Sequence, residues 1–339
     1  MIENSETGNL KNEEGIIMRE SGILMPVSSL PGPYGIGCFG AEALKFVDFL
    51  AAAGQHIWQL LPLSPTGYGD SPYQSCSAFA GNPYFIDLDA LKADGLLTAA
   101  QLKAEPWGTD PLSVDYGTLY TSRYKVLRAA YAAWREKYAG RFGCAHYYPD
   151  DYYAFTLTNE SWLNDYALYM ALKTANGMKS WAEWPREYRL RDAGALAEFA
   201  AGQEEEIGFW KFLQYEFAVQ WKKVKDYANE KGIKILGDIP IYVSADSVDA
   251  WVGGELFELL QIDVEALRGG PASDDDLRTD ESDGQQQVGD QRNAQSRTVI
   301  ERPFARILPA VVEGKTQFGP SGLRFGFLRG HRAEDFAQK

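Results

Sequence analysis

Tyr68, Asp70, Ser71, Tyr73 and Gln74 crowd into the front of one stretch, GYGDSPYQSCSAFAGNPYFIDL, from Gly67 to Leu88. Gly, Ser and Pro dominate it and mark it as a loop, where large aromatic rings gain little unless they bind something. Rings alternating with hydroxyls, an amide and a carboxylate suit a sugar. The apolar faces of a pyranose pack on aromatic rings, and its rim of hydroxyls needs donors and acceptors. Phe79, Tyr84 and Phe85 farther along are expected to anchor the loop to the core instead.

Other chemistry is less well served. GIGCFG, Gly35 to Gly40, fits the G-x-G-x-x-G pattern and precedes a helical stretch. A dinucleotide site also needs an acidic residue at the end of the next strand. The next apolar run ends LLPLSP, without a carboxylate, so a plain strand-to-helix turn is the better reading. Cys38, Cys76 and Cys144 are scattered without C-x-x-C spacing, which suits a reducing cytoplasm. His56, His146 and His331 have no metal-ligand spacing, and no metal or cofactor is expected.

The elements that must position the loop follow from hydrophobic periodicity. GILMPVSS and HIWQLLPL read as buried strands. Between them AEALKFVDFLAAAG places Ala43, Leu44, Val47, Leu50 and Ala51 on one helical face, with Gly54 as the stop. That βαβ order predicts a parallel sheet. From about residue 90 to 202 the chain reads as helical and aromatic. EEEIGFWKFLQYEFAVQWKKVKDYANEKG is a long amphipathic helix ending at Gly232, and IKILGDIPIYV returns as a strand carrying Asp238 at its carboxyl end. Taken alone, Asp238 is also compatible with an ordinary strand-end turn.

Charge and composition bound the function. The 339 residues carry a net charge of −14, which disfavours a nucleic-acid partner because little would neutralise phosphates. No apolar run approaches membrane-spanning length, and MIENSETGNLKNEEG lacks the regions of a signal peptide. The composition changes near Leu259. Forty aromatics precede that point and five, all Phe, follow it, while Lys-over-Arg usage inverts from 14 to 8 into 2 to 9. GGPASDDDLRTDESDGQQQVGDQRNAQSR has no periodicity and reads as disordered.

GILMPVSSLPGPYGIGCFG, WQLLPLSPTGYGDSPYQSCSAFAGNPYFIDL, WLNDYALYMALK, FLQYEFAVQW and GIKILGDIPIYVSADSVDAW resemble successive signature blocks of bacterial 4-α-glucanotransferases, or amylomaltases. The resemblance runs from about residue 18 to 259, in family order. It implies an α/β fold of the (β/α)₈ TIM-barrel type with a helical insertion at about 90–202, a cytoplasmic location, and α-1,4-glucans and maltooligosaccharides as partners. It also implies a retaining mechanism, with an Asp nucleophile and a Glu acid/base whose carboxyls sit about 5–5.5 Å apart. By the same resemblance Ser71 and Tyr73 lie in the substrate groove, Tyr68 belongs to a neighbouring glucan-binding surface, and Asp238 hydrogen-bonds near the catalytic centre. Met18 resembles the family's usual start, which makes residues 1–17 an extra leader without expected order.

The family's R-I-D-H type nucleophile block, and the later blocks bearing its acid/base Glu and a further Asp, have no counterpart here. Asp263 in LLQIDVEALRG is a superficial match lacking the Arg and His. The expectation is therefore a barrel incomplete after about three of eight strands, no catalytic residue in this chain, and a foreign or frameshifted tail over 260–339. RTVIERPFARILPAVVEGKTQFG faintly resembles insertion-sequence transposases. Three rivals stand beside an inactive fragment: an active enzyme with unusual carboxylates from the tail, a non-catalytic glucan-binding protein, and a DNA-related tail. Residues 260–339 disfavour the last, with 11 basic against 13 acidic side chains.

Overall fold

The structure, a computed structural model, describes residues 11–12, 15–16, 19–67, 69–138, 148–239, 242–254 and 298–299. All of these belong to one compact unit, Met1–Ile300. The expectations for residues 260–297 and 300–339, and for Tyr68, Cys144, His146 and Asp263, lie outside the described residues, as does most of the stretch 1–17. Within the leader, β1 (Lys11–Asn12) and β2 (Gly15–Ile16) pair antiparallel.

Three parallel strands organise the site. β3 (Gly22–Leu24), β4 (Ile57–Gln59) and β5 (Lys234–Leu236) form one sheet in the order β3-β4-β5, with Ile23 beside Trp58 and Trp58 beside Ile235. Each strand is shorter than its apolar run predicts. The runs continue as extended chain, and the ladder goes one step further through Met25 N–H to Gln59 O at 3.0 Å and Leu60 N–H to Leu236 O at 2.9 Å. GILMPVSS leaves the strand at once, because Pro26 opens a 3₁₀ turn at Val27–Ser29.

α1 (Ala41–Ala52) crosses from β3 to β4 and buries Ala43, Val47 and Leu50 as its periodicity predicts, with Gly54 at φ 66° beyond its end. GIGCFG is the turn before it. A Cβ on Gly37 would lie 2.0 Å from Val27 O, so only glycine permits that approach. At Gly40, the N-cap of α1, a Cβ would lie 3.0 Å from both oxygens of Asp87. Asp87 itself caps α2, accepting from Asp89 N–H and Ala90 N–H at 3.2 Å each.

Between residues 88 and 202 the described chain is mostly helical: α2 (Leu88–Ala93), α3 (Ala99–Ala104), α4 (Tyr116–Tyr138), α5 (Asp150–Thr158), α6 (Glu160–Ala175), α7 (Arg186–Arg189) and α8 (Ala193–Gly202). α9 (Glu204–Glu230) then runs back towards the sheet. Its first turn holds Glu204, Glu205 and Glu206, which the positive end of the helix dipole favours. Gly232, at φ 75°, lets the chain turn out of it. α9 joins two cores. Phe209, Phe212 and Leu213 pack among the aromatics of α4 to α6, whereas Val224 and Ala228 pack with Val47, Leu50 and Trp58 under the sheet.

β6 (Val243–Ser244), paired antiparallel with β7 (Thr298–Val299), and α10 (Val248–Val252) complete the described chain. Among the described residues no further strand joins the outer edges of β3 and β5, and no helix is long and apolar enough to cross a membrane. Leu24 and Leu236 are half exposed, and Ile239 more so.

Candidate functional site

The opening loop leaves the carboxyl end of β4 and doubles back on itself. Thr66 and Ser75 form an antiparallel bridge, Gly67 N–H donates to Gln74 O at 3.1 Å, and Gln74 N–H donates to Ser71 O at 3.1 Å. Gly69 and Asp70 take φ 95° and 58° at the tip. Asp70 holds this left-handed conformation without being glycine, and burial pushes its carboxyl above the usual carboxylate range.

Of the four residues expected to bind glucan, Tyr68 falls outside the described residues. The structure brings the other three together. Ser71 Oγ accepts from Tyr73 N–H at 3.4 Å, and the Tyr73 hydroxyl donates to Asp238 Oδ2 at 2.7 Å. Asp238 stands just past β5, as its strand-end position predicts, and its other oxygen accepts from Ile239 N–H at 2.8 Å. The hydrogen bond to Asp238, then its charge, hold the Tyr73 phenol above its ordinary range, so the ring stays neutral and donating. Tyr73 is 38% exposed, with its ring presented at the carboxyl ends of β4 and β5.

The base of the loop is fixed by residues the sequence reading did not single out. Gln214 of α9 accepts from Gly81 N–H at 2.7 Å and donates to Gly81 O at 2.9 Å, an amide pairing both backbone polar groups of one residue. Gln220, on the same helix, accepts from Asp87 N–H at 2.6 Å. Both glutamines are almost fully buried, and both interrupt the apolar face of FLQYEFAVQW. That interruption was the available signal. From the other side, Asp249 of α10 accepts from Ala78 N–H at 2.9 Å, with its carboxyl pushed up to about 6 by burial. Next to it Asp246 gathers the Tyr169 hydroxyl at 2.9 Å, the Lys173 ammonium at 2.6 Å and Trp181 N–H at 3.2 Å.

The expected anchors divide. Tyr84 and Phe85 are buried at 6% and 7% exposure, in the core under the sheet. Phe79 is not: it is 42% exposed and stacks on Trp162 of α6, with centroids 6.3 Å apart and planes 16° apart. Its polar neighbours Ser77 and Asp249 tie down the backbone, so the ring is not needed as a plug.

The arrangement is an aromatic and hydroxyl rim over a carboxylate, on a rigid base. Among the described residues no group of His, Cys, Asp or Glu has metal-site geometry. Tyr73, Ser71 and Asp238 bring an aromatic ring, a hydroxyl and a carboxylate together at one surface.

A family model described as 4-alpha-glucanotransferase matches residues 25–276. The 4-alpha-glucanotransferase of Clostridium butyricum is 46% identical over 245 residues, covering 72% of this chain and 48% of that protein. The Thermus thermophilus enzyme of the same name is 44% identical over 244 residues, 71% of this chain and 46% of that protein. Among solved structures, amylomaltase from Streptococcus agalactiae in complex with acarbose matches at 42% identity and a TM-score of 0.67, over 72% of this chain and 48% of that one. The chain spans about half the length of the curated relatives it matches.

Proposed function

Since the chain belongs to the 4-alpha-glucanotransferase family, we propose that its loop at Gly67–Leu88 and Asp238 bind α-1,4-glucans in a cytoplasmic protein of maltooligosaccharide metabolism. In the intact family reaction a glucan segment passes to a carboxylate and then to an acceptor sugar. Transfer prevails over hydrolysis when the acceptor is held better than water. Tyr73 and Ser71 are the residues for that holding, and Asp238 sets the orientation of Tyr73. The observation that carries this reading is the 2.7 Å bond from Tyr73 to Asp238, which assembles a groove wall from two strand ends. In barrels of this class substrate sites lie at the carboxyl ends of the strands.

The domain layout proposed with it is a glucanotransferase region over 18–259, built as part of a (β/α)₈ barrel that contributes β3, β4 and β5, with the helical insertion at about 90–202. Migration of the purified chain in native gels containing amylose tests the glucan reading. Retardation relative to an amylose-free gel is expected, with relief in Tyr73→Ala. Equal mobility in both gels would overturn it.

A further inference from the structure

A second pocket lies away from the loop, between α2, α4 and α9. Its volume is about 200 Å³, room for a single pyranose ring but not for a chain of them. Leu96, Trp134 and Tyr215 form an apolar and aromatic floor, and all three are buried. Into this floor the middle of α9 sets Glu216, only 7% exposed, with Gln220 one turn on. Around the mouth stand Asp94, Lys137 and Lys223, all exposed.

The burial of Glu216 is costly. Its carboxyl is pushed up to about 7, chiefly by desolvation and then by the charge of Asp94. Gln220 gives it one hydrogen bond, and among the described ion pairs none includes it. A packed core gains nothing from such a group, and perturbed carboxyls in pockets gather at sites of function. Asp94 and the partly ionised Glu216 largely offset Lys137 and Lys223, so little net charge remains to attract an ion. What it offers instead is a buried acceptor, two ammonium groups, one of which also donates to Asp94 O at 3.0 Å, and aromatic walls. Those groups together suit a neutral ring bearing several hydroxyls.

We propose that the pocket at Glu216 binds one hexose, D-glucose or a terminal glucose residue, separately from the Tyr73–Asp238 groove. The choice of glucose among hexoses rests on the glucan reading above, whereas the size and polarity of the ligand come from the pocket itself. Glu216 would accept hydroxyl protons at the floor, Lys137 and Lys223 would donate at the mouth, and Tyr138, also lining the pocket, would pack on a ring face.

Saturation-transfer NMR with D-glucose on the full chain tests this, beside amylose gel retardation of the same samples. Saturable glucose binding is expected in the wild type and unchanged in Tyr73→Ala, and at least tenfold weaker in Glu216→Leu. Val219→Phe, which fills the pocket from its lining and leaves Glu216 in place, should weaken it equally if Glu216→Leu fails to fold. Amylose retardation without glucose binding, or glucose binding lost in Tyr73→Ala and kept in Val219→Phe, would overturn the pocket and leave the groove standing. Loss of both amylose retardation and glucose binding in the wild type would overturn both.

Discussion

The Tyr73 hydroxyl donates a 2.7 Å hydrogen bond to Asp238 across 165 residues of chain. One end belongs to the loop after β4 and the other to the end of β5, so the bond closes a wall that neither segment forms alone. The residues behind it, Gln214, Gln220 and Asp249, hold the loop by its backbone and leave the Tyr73 ring at the surface.

Tyr73 and Phe85 divide the loop's labour. Tyr73→Ala should weaken glucan binding about tenfold or more with little change in thermal midpoint, because the lost ring is exposed and, in the proposed reading, stacks on the glucan. Tyr73→Phe keeps the ring and loses the bond to Asp238, so its loss of affinity should be smaller. Phe85→Ala should show the opposite balance, losing about 3–5 kcal/mol of stability as a buried aromatic truncation. Thermal melts and amylose gels on the same three variants check this. Loss of binding that follows stability alone would make the rings anchors only.

Gln214→Leu preserves size but strands both backbone polar groups of buried Gly81. The expected cost is about 2–3 kcal/mol, from two unpaired groups rather than from lost packing. Amide exchange at Gly81 should accelerate more than exchange in α1. Unchanged protection at Gly81 would show that the clamp holds nothing in solution.

Glu216 makes stability depend on pH in a definite direction. Its carboxyl binds a proton more tightly when folded, at about 7, than at the reference value of 4.5. The folded state therefore holds more protons in that window, and the group's contribution falls as pH rises from about 4.5 through 7. Asp94 beyond α2 and Asp151 of α5 reinforce the shift, and Gln220 and Lys223 on α9 oppose it; Lys137 and Tyr138 of α4 also face the pocket. Glu216→Gln stays neutral throughout. Relative to wild type it should be more stable at pH 8, by at most about 3 kcal/mol at 1.36 kcal/mol per unit, and level near pH 4. Urea midpoints at the two pH values measure this, and a constant difference between them would contradict it.

Incubated with maltotriose, the purified chain should give no new maltooligosaccharides above background. The family's covalent intermediate needs an Asp nucleophile, and the expectation from the sequence is that residues 1–339 hold none of the family's catalytic carboxylates. Appearance of glucose together with longer products would restore Asp263 or another carboxylate to consideration.

The sequence made the parallel βαβ order legible because Val47 and Leu50 keep strict helical spacing between two apolar runs. The strand-end place of Asp238 was legible in IKILGDIPIYV, whereas its bond to Tyr73, 165 residues away, was not. Phe79 was misread because its partner, Trp162, lies on a helix 83 residues away, and no local pattern records such a contact. The glutamine clamp was missed for a related reason. Gln214 and Gln220 recognise backbone, which is the same in every residue and leaves no complementary side chain to find. Strand lengths were overestimated because apolar runs report burial, and extended chain beside a sheet is buried whether or not it completes the ladder.

β4 ends at Gln59 and β5 begins at Lys234, so the middle strand of the sheet waits for a partner on one side while 234 − 59 = 175 positions are synthesised. At ribosomal rates of about 5–20 residues per second, that wait lasts roughly 10–35 s. In that interval Trp58 can be covered by α1 but not by Val224 or Ala228, which are still untranslated. The helical region has time to condense first and to deliver α9, already seated at one end, onto the nascent sheet. A pause or premature release before codon 234 would leave a β3–β4 pair with an open flank, and the nascent chain would then depend on a chaperone rather than on its own length.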